Sequence, residues 1–260
     1  MNNTFEFSRF ARLYRKHTVE HIKSYLLSAA VLAGLLLVCL GFFWYTHGAK
    51  LNLRDQSSVF VFFYLACGTI FTSLTFSHLS QKKEAIPALM LPASHLEKYV
   101  VSLIYTFVVY QLVFMGIYFA IDSLLFAMGA PFESGENEMI NVFVMDQKIY
   151  LVFFMYALLH AFAFWGAIYF EKLHFIKAGF VVLALCFFII LINNMLLNIF
   201  IKADTNKGLP FTGANVTENG NHYYVYLNGG GFTLCVAIAV VIITLLLWGT
   251  TYFKLTEKEV

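Results

Sequence analysis

Few side chains in this 260-residue chain can do chemistry, and their spacing narrows the options. His17, Glu20 and His21 form an H-x-x-E-H run. On a helix the two histidines share a face, and in one class of proteases that pattern grips zinc. Such a site needs a third ligand and a closed pocket, and no downstream acidic residue offers itself. The run reads as a chance match among aromatic neighbours. His160 sits alone in an apolar stretch, open to three readings: a structural hydrogen bond, the lining of a pathway, or proton or metal chemistry. Asp122 lies at the end of another apolar stretch, and Asn193, Asn194 and Asn198 share a third. Thr69, Ser73 and Ser77 recur at i, i+4 and i+8, with Thr72 and Thr75 beside them. Hydrogen bonds between helices are the expected use of that stripe, and His160 and the three asparagines are pathway-lining or interhelical candidates.

Enzyme signatures are missing from the sequence. There is no G-x-x-x-x-G-K-[ST] loop, no H-E-x-x-H and no G-x-S-x-G. No pair of carboxylates falls inside an apolar stretch to serve as acid and base, and no chain of acidic residues suits a proton-driven carrier. The expectation is a protein that is not itself an enzyme, with no cofactor and no resident metal. The four cysteines, Cys39, Cys67, Cys186 and Cys235, lie in apolar runs without C-x-x-C spacing and read as packing residues.

The elements that hold these residues are set by charge. Six stretches carry no Asp, Glu, Lys or Arg: Ser24–Thr46, Gln56–Gln81, Tyr99–Ile121, Ile149–Phe170, Ala178–Ile201 and Asn219–Phe253. Crossing the hydrocarbon core takes about 20 apolar helical residues, and in lipid the backbone must satisfy its own hydrogen bonds. The sequence therefore predicts an all-α, polytopic membrane protein with spans at about 25–46, 57–79, 99–123, 149–170, 177–201 and 231–253. Hydrophobic residues make up 60% of the chain and charged ones 12%, which leaves a single transmembrane domain over 1–260 and no separate soluble one. The first apolar run is too long for a cleaved signal and reads as a retained anchor. With both termini cytoplasmic, twelve of the 17 lysines and arginines fall inside, which the positive-inside rule favours.

Outside the spans, residues 5–23 read as an amphipathic interfacial helix. Phe7, Phe10, Ala11, Tyr14, Thr18 and His21 take one arc; Arg9, Arg12, Arg15, Lys16, Glu20 and Lys23 take the other. Lipid explains that basic face better than nucleic acid does. Between spans two and three, a cytoplasmic loop over 81–98 ends in the capping box Ser94-x-x-Glu97. Before the box lies an apolar patch, Ile86, Leu89, Met90 and Leu91, bracketed by Pro87 and Pro92. Such a patch facing the cytoplasm asks to be covered by lipid, by the chain's own helix ends or by a partner. Residues 128–146 form an acidic outer loop. The outer loop over 202–230 contains Asn219-Gly220, which predicts a small hairpin running into Tyr223–Leu227.

This layout resembles the permease subunits of type-2 ABC exporters. Leu89-Met-Leu-Pro-Ala-Ser-His-Leu-Glu-Lys98 is similar to a segment that opens span three in such permeases of Bacteroidota-like bacteria. Trp165-Gly-Ala-Ile-Tyr-Phe-Glu-Lys-Leu-His-Phe-Ile-Lys177 resembles their turn between spans four and five. The resemblance implies a chain in the bacterial cytoplasmic membrane, working as a homodimer or paired permease. It implies a coupling loop in which Ile86, Pro87, Leu89, Met90, Leu91 and Pro92 dock a separate cytoplasmic ABC ATPase. It names no substrate. The alternative is a non-transport membrane protein, a sensor or immunity factor, whose loop docks another cytoplasmic partner; a membrane-embedded enzyme is a third reading.

Overall fold

The computed structural model describes residues 5–80, 94–129, 139–140, 151–170, 174–201, 204–206, 214–218, 221–225 and 230–257. The chain is all-α in its membrane part, with six helices long and apolar enough to span a bilayer. They are α1 (Phe7–Thr46), α2 (Leu53–Ser80), α3 (His95–Met128), α4 (Leu151–Tyr169), α5 (His174–Ile201) and α6 (Gly230–Glu257). This is the fold class that the six uncharged stretches predict.

The segment read as an interfacial helix, residues 5–23, is continuous with the first span in helix α1. The helix runs unbroken for 40 residues. At 1.5 Å per residue that is about 60 Å, twice a hydrocarbon core of roughly 30 Å, so part of it extends beyond the membrane. Good helix formers connect Lys23 to the span with no Pro or Gly between them, which leaves nothing to break the helix. Phe10, Tyr14, Thr18 and His21 of the expected apolar arc are half-covered by the protein, whereas Phe7 and Ala11 are exposed. At its far end α1 closes on Gly48 and Ala49, both left-handed at φ 65 and 64°, with the Ala49 N–H donating to Trp44 O at 2.9 Å. That tight end makes α2 an antiparallel neighbour.

Helix α3 begins with the predicted capping box: Glu97 N–H donates to Ser94 Oγ at 3.2 Å, and Ser94 N–H donates to Glu97 Oε2 at 3.0 Å. Midway, residues Ile104–Val109 widen into a π-helical turn. Helix α4 lies at the centre of the bundle and packs most closely on α2, then on α6 and α5, while α1 packs along α3. The core joins α1–α4 through Leu36, Leu40, Phe60, Tyr64, Phe114, Tyr118 and Tyr156, all fully buried. Ring pairs such as Phe60–Tyr118 and Tyr64–Phe114 meet near 5 Å in edge-on geometry. Gly68 lets α2 approach: a Cβ there would overlap the Tyr156 ring and come within 2.7 Å of Tyr110 Cε1.

Between α5 and α6 the chain forms an antiparallel sheet of β1 (Asp204–Asn206), β2 (Ala214–Glu218) and β3 (Asn221–Val225). Glu218 pairs with Asn221, the register of a two-residue connection. Strand β1 was not foreseen, since three polar residues carry no alternation to read.

Candidate functional site: a shared carboxylate and a polar hub

The capping box spends only one oxygen of Glu97. The other, Oε1, accepts the N–H of Glu6 at 2.9 Å and Arg9 Nη2 at 3.2 Å. Glu6 is the N-cap of α1, so one fully buried carboxylate closes the N-termini of two helices, α1 and α3. Both helix ends direct their positive dipoles and unpaired N–H groups at it, and Arg9 adds a cation. One residue pair along, the Tyr99 hydroxyl donates to Trp248 O of α6 at 2.8 Å. The starts of α1 and α3 and the end of α6 are thereby tied together on one side of the membrane.

Further along the α1–α3 seam, Tyr105 stacks on Tyr14 and Tyr25, and its hydroxyl hydrogen-bonds Thr18. His17 Nε2 is engaged by the Tyr25 hydroxyl at 2.8 Å, and the His17 and His21 rings touch. Among the described residues no group of three or more His, Cys, Asp or Glu comes together, so the H-x-x-E-H run gains no third ligand.

Tyr105 belongs to the π-helical turn, and its neighbour Thr106 leads to His160. Trp248 Nε1–H donates to His160 Nδ1 at 3.2 Å, which makes Nδ1 an acceptor. The neutral ring then carries its hydrogen on Nε2 and donates it to Thr106 Oγ1 at 2.9 Å; that hydroxyl donates onward to Ser102 O, also at 2.9 Å. The Thr106 carbonyl takes the Tyr156 hydroxyl at 2.7 Å. His160 is completely buried, ringed by Phe107, Tyr156, Phe164 and Trp248. Both its nitrogens are engaged inside the core, which is the geometry of a structural hydrogen bond.

On the opposite side of the membrane, Gln56 plays a comparable part. Its amide donates to Leu51 O at 3.1 Å and accepts Ile140 N–H at 2.9 Å, while its own carbonyl accepts the Tyr118 hydroxyl at 2.9 Å. A glutamine at the edge of an uncharged run gave no signal for this.

Other expectations fare differently. The hydroxyls of Thr69, Thr72 and Thr75 each donate to the carbonyl one turn back in their own helix, a partner always within reach of a Thr side chain. Thr72 also lies against the Tyr156 hydroxyl. Among the described residues, buried Ser73 Oγ has no hydrogen-bond partner. Asn193 and Asn194 are half-buried on α5 and Asn198 is exposed; among the described residues, buried Asn194 Oδ1 has no partner either. Helix α5 contributes neither partner of His160, so the structure does not gather these asparagines into its hub. Ile86, Pro87, Leu89, Met90, Leu91 and Pro92 lie outside the described residues.

Comparison of the chain with known protein families, with curated proteins and with solved structures finds no match.

Proposed function

We propose that this multi-pass membrane protein is the permease subunit of an ABC exporter, paired with a second permease in the bacterial cytoplasmic membrane. A separate ATPase docks on the loop over 81–98, through Ile86, Pro87, Leu89, Met90, Leu91 and Pro92, and performs the ATP hydrolysis for which this chain has no loop of its own. The observation that carries the reading is the carboxylate shared at Glu97. A coupling loop must pass force to the spans, and this one exits directly into a junction of three helices. Displacement at its end acts on α3 itself, on α1 through Glu6 and Arg9, and on α6 through Tyr99. Charge-assisted hydrogen bonds of this type are stiff and directional, which suits transmission. From there the seam continues through Tyr105 and Thr106 to His160 in the core.

The test is recovery of the tagged chain from its native membrane in mild detergent, with mass spectrometry of what accompanies it. The expected result is a stoichiometric protein bearing a G-x-x-x-x-G-K-[ST] loop, lost with Leu89→Asp while the variant still inserts. Recovery of no nucleotide-binding protein, or full recovery with Leu89→Asp, would refute the proposal.

A further inference from the structure

Helices α2 and α5 scarcely touch, and the space between them is a cleft of about 790 Å³ with α4 as its floor. Small residues hollow it out: Ala66 on α2, Ala163 on α4, and Ala178 and Gly179 on α5. Its mouth is flanked by Phe62 and Leu183, both about two-thirds exposed, so it opens sideways to the membrane. The volume lies within the range of small-molecule sites, roughly 300–1,000 Å³.

Its chemistry is restrictive. Among the described residues no charged side chain lines it. Ser57, Ser58 and Thr69 do line it, and each hydroxyl donates to a carbonyl of its own helix, at 2.6, 2.7 and 2.9 Å. With those hydrogens spent, the wall has little to offer a charged headgroup or an ion. The lining includes Ser57 near the outer end of α2 and Phe175 near the cytoplasmic end of α5, so the cleft crosses the middle of the membrane, where lipid offers only hydrocarbon. An uncharged hydrocarbon wall at that depth with a lateral mouth matches one kind of occupant.

We propose that the cleft between α2, α4 and α5 binds a single acyl chain of a membrane lipid, with the headgroup left outside. The assignment depends on the six spans and not on an ATPase partner. A seated chain fills space that α5 leaves open, and it replaces the contacts that α2 and α5 do not make with each other.

The test uses the full-length protein in phosphatidylcholine vesicles doped with a phosphatidylcholine that carries a diazirine midway along one acyl chain. After irradiation, adducts should concentrate on the cleft residues of α2, α4 and α5. Gly179→Trp should abolish them, since a side chain at Gly179 meets nothing within 4 Å and enters open space. Leu246→Trp, on the exposed face of α6, should leave them unchanged. Val182→Phe is the second filling variant, should Gly179→Trp not be recovered folded. Adducts spread evenly over the exposed faces of α1, α5 and α6, and indifferent to both filling variants, would overturn the assignment. So would efficient disulfide dimers of Leu183→Cys in a Cys186→Ser, Cys235→Ser background, which would put a second copy in the cleft instead.

Discussion

Helices α4 and α5 are both apolar enough to span the membrane and are opposite in surroundings. In the most apolar stretch of α4, 44% of the residues are buried inside the protein; in α5 the share is 6%, and in α6 it is 11%. The difference is one of detail in the side chains. Helix α4 presents Tyr156, His160, Ala163, Phe164 and Ala167 to its neighbours, alternating bulky groups with small ones, and two of the bulky groups carry hydrogen bonds. Helix α5 presents Leu183, Phe187, Phe188, Leu191 and Ile192 outward, side chains that carry no hydrogen-bonding group. In water both would be driven inside. In lipid, where the tails are as apolar as leucine, only packing and hydrogen bonds distinguish a core helix from a peripheral one.

The largest effect should come from hollowing the α1–α4 core. Phe114 is fully buried against Phe60, Tyr64, Tyr110 and Tyr118. Phe114→Ala forfeits those contacts with little room to collapse and should cost about 3 kcal/mol, read from unfolding in mixed detergent micelles. A cost near zero would mean that the ring stack is no tighter than the lipid it replaces.

Next comes the hub. His160→Phe keeps an aromatic ring, somewhat larger than imidazole, but orphans Trp248 Nε1–H, whereas Thr106 still has Ser102 O; the expected cost is about 2 kcal/mol. Adding Trp248→Phe removes the stranded donor, so the double variant should be less than additive. Strict additivity would show that the two rings do not hydrogen-bond.

Much of this contrast was legible before any coordinates, and the rest was hidden for physical reasons. Six spans follow from uncharged runs, because membrane burial of charge is costly over any 20 residues. The capping box at Ser94 and Glu97 is local and was read correctly. Its second oxygen was not, because Glu6 and Arg9 stand 91 and 88 residues away and no local pattern joins them. His160 stood out as an ionisable group at membrane depth, but Thr106 and Trp248 did not: threonine is common in spans, and a tryptophan near a helix end reads as an interface anchor. Nothing in the sequence marks the π-helical turn or the cleft beside α5, since both arise from how helices meet.

A smaller change of opposite sign is expected at Tyr64. Its ring is packed on every side, yet among the described residues its buried hydroxyl has no hydrogen-bond partner. Tyr64→Phe removes that stranded group, keeps the ring and should stabilise the protein by about 1 kcal/mol. Destabilisation would reveal that the hydroxyl is satisfied by a bound water in the core.

The smallest effect belongs to the lipid face of α5. Phe188 is 58% exposed and meets the adjacent ring of Phe187 edge-on. Truncating it exchanges ring-to-lipid contact for methyl-to-lipid contact, with no cavity formed because acyl chains flow into the gap. Phe188→Ala should therefore change stability by less than about 0.5 kcal/mol, against about 3 for the same substitution at Phe114. A loss at Phe188 that grows as protein is diluted in detergent would identify that face as a contact between copies. A loss independent of dilution would mean that α5 packs closer to its own bundle than its exposure indicates. Measured together, the two phenylalanines report directly on what separates a core helix from a peripheral one when both are apolar enough to span the membrane.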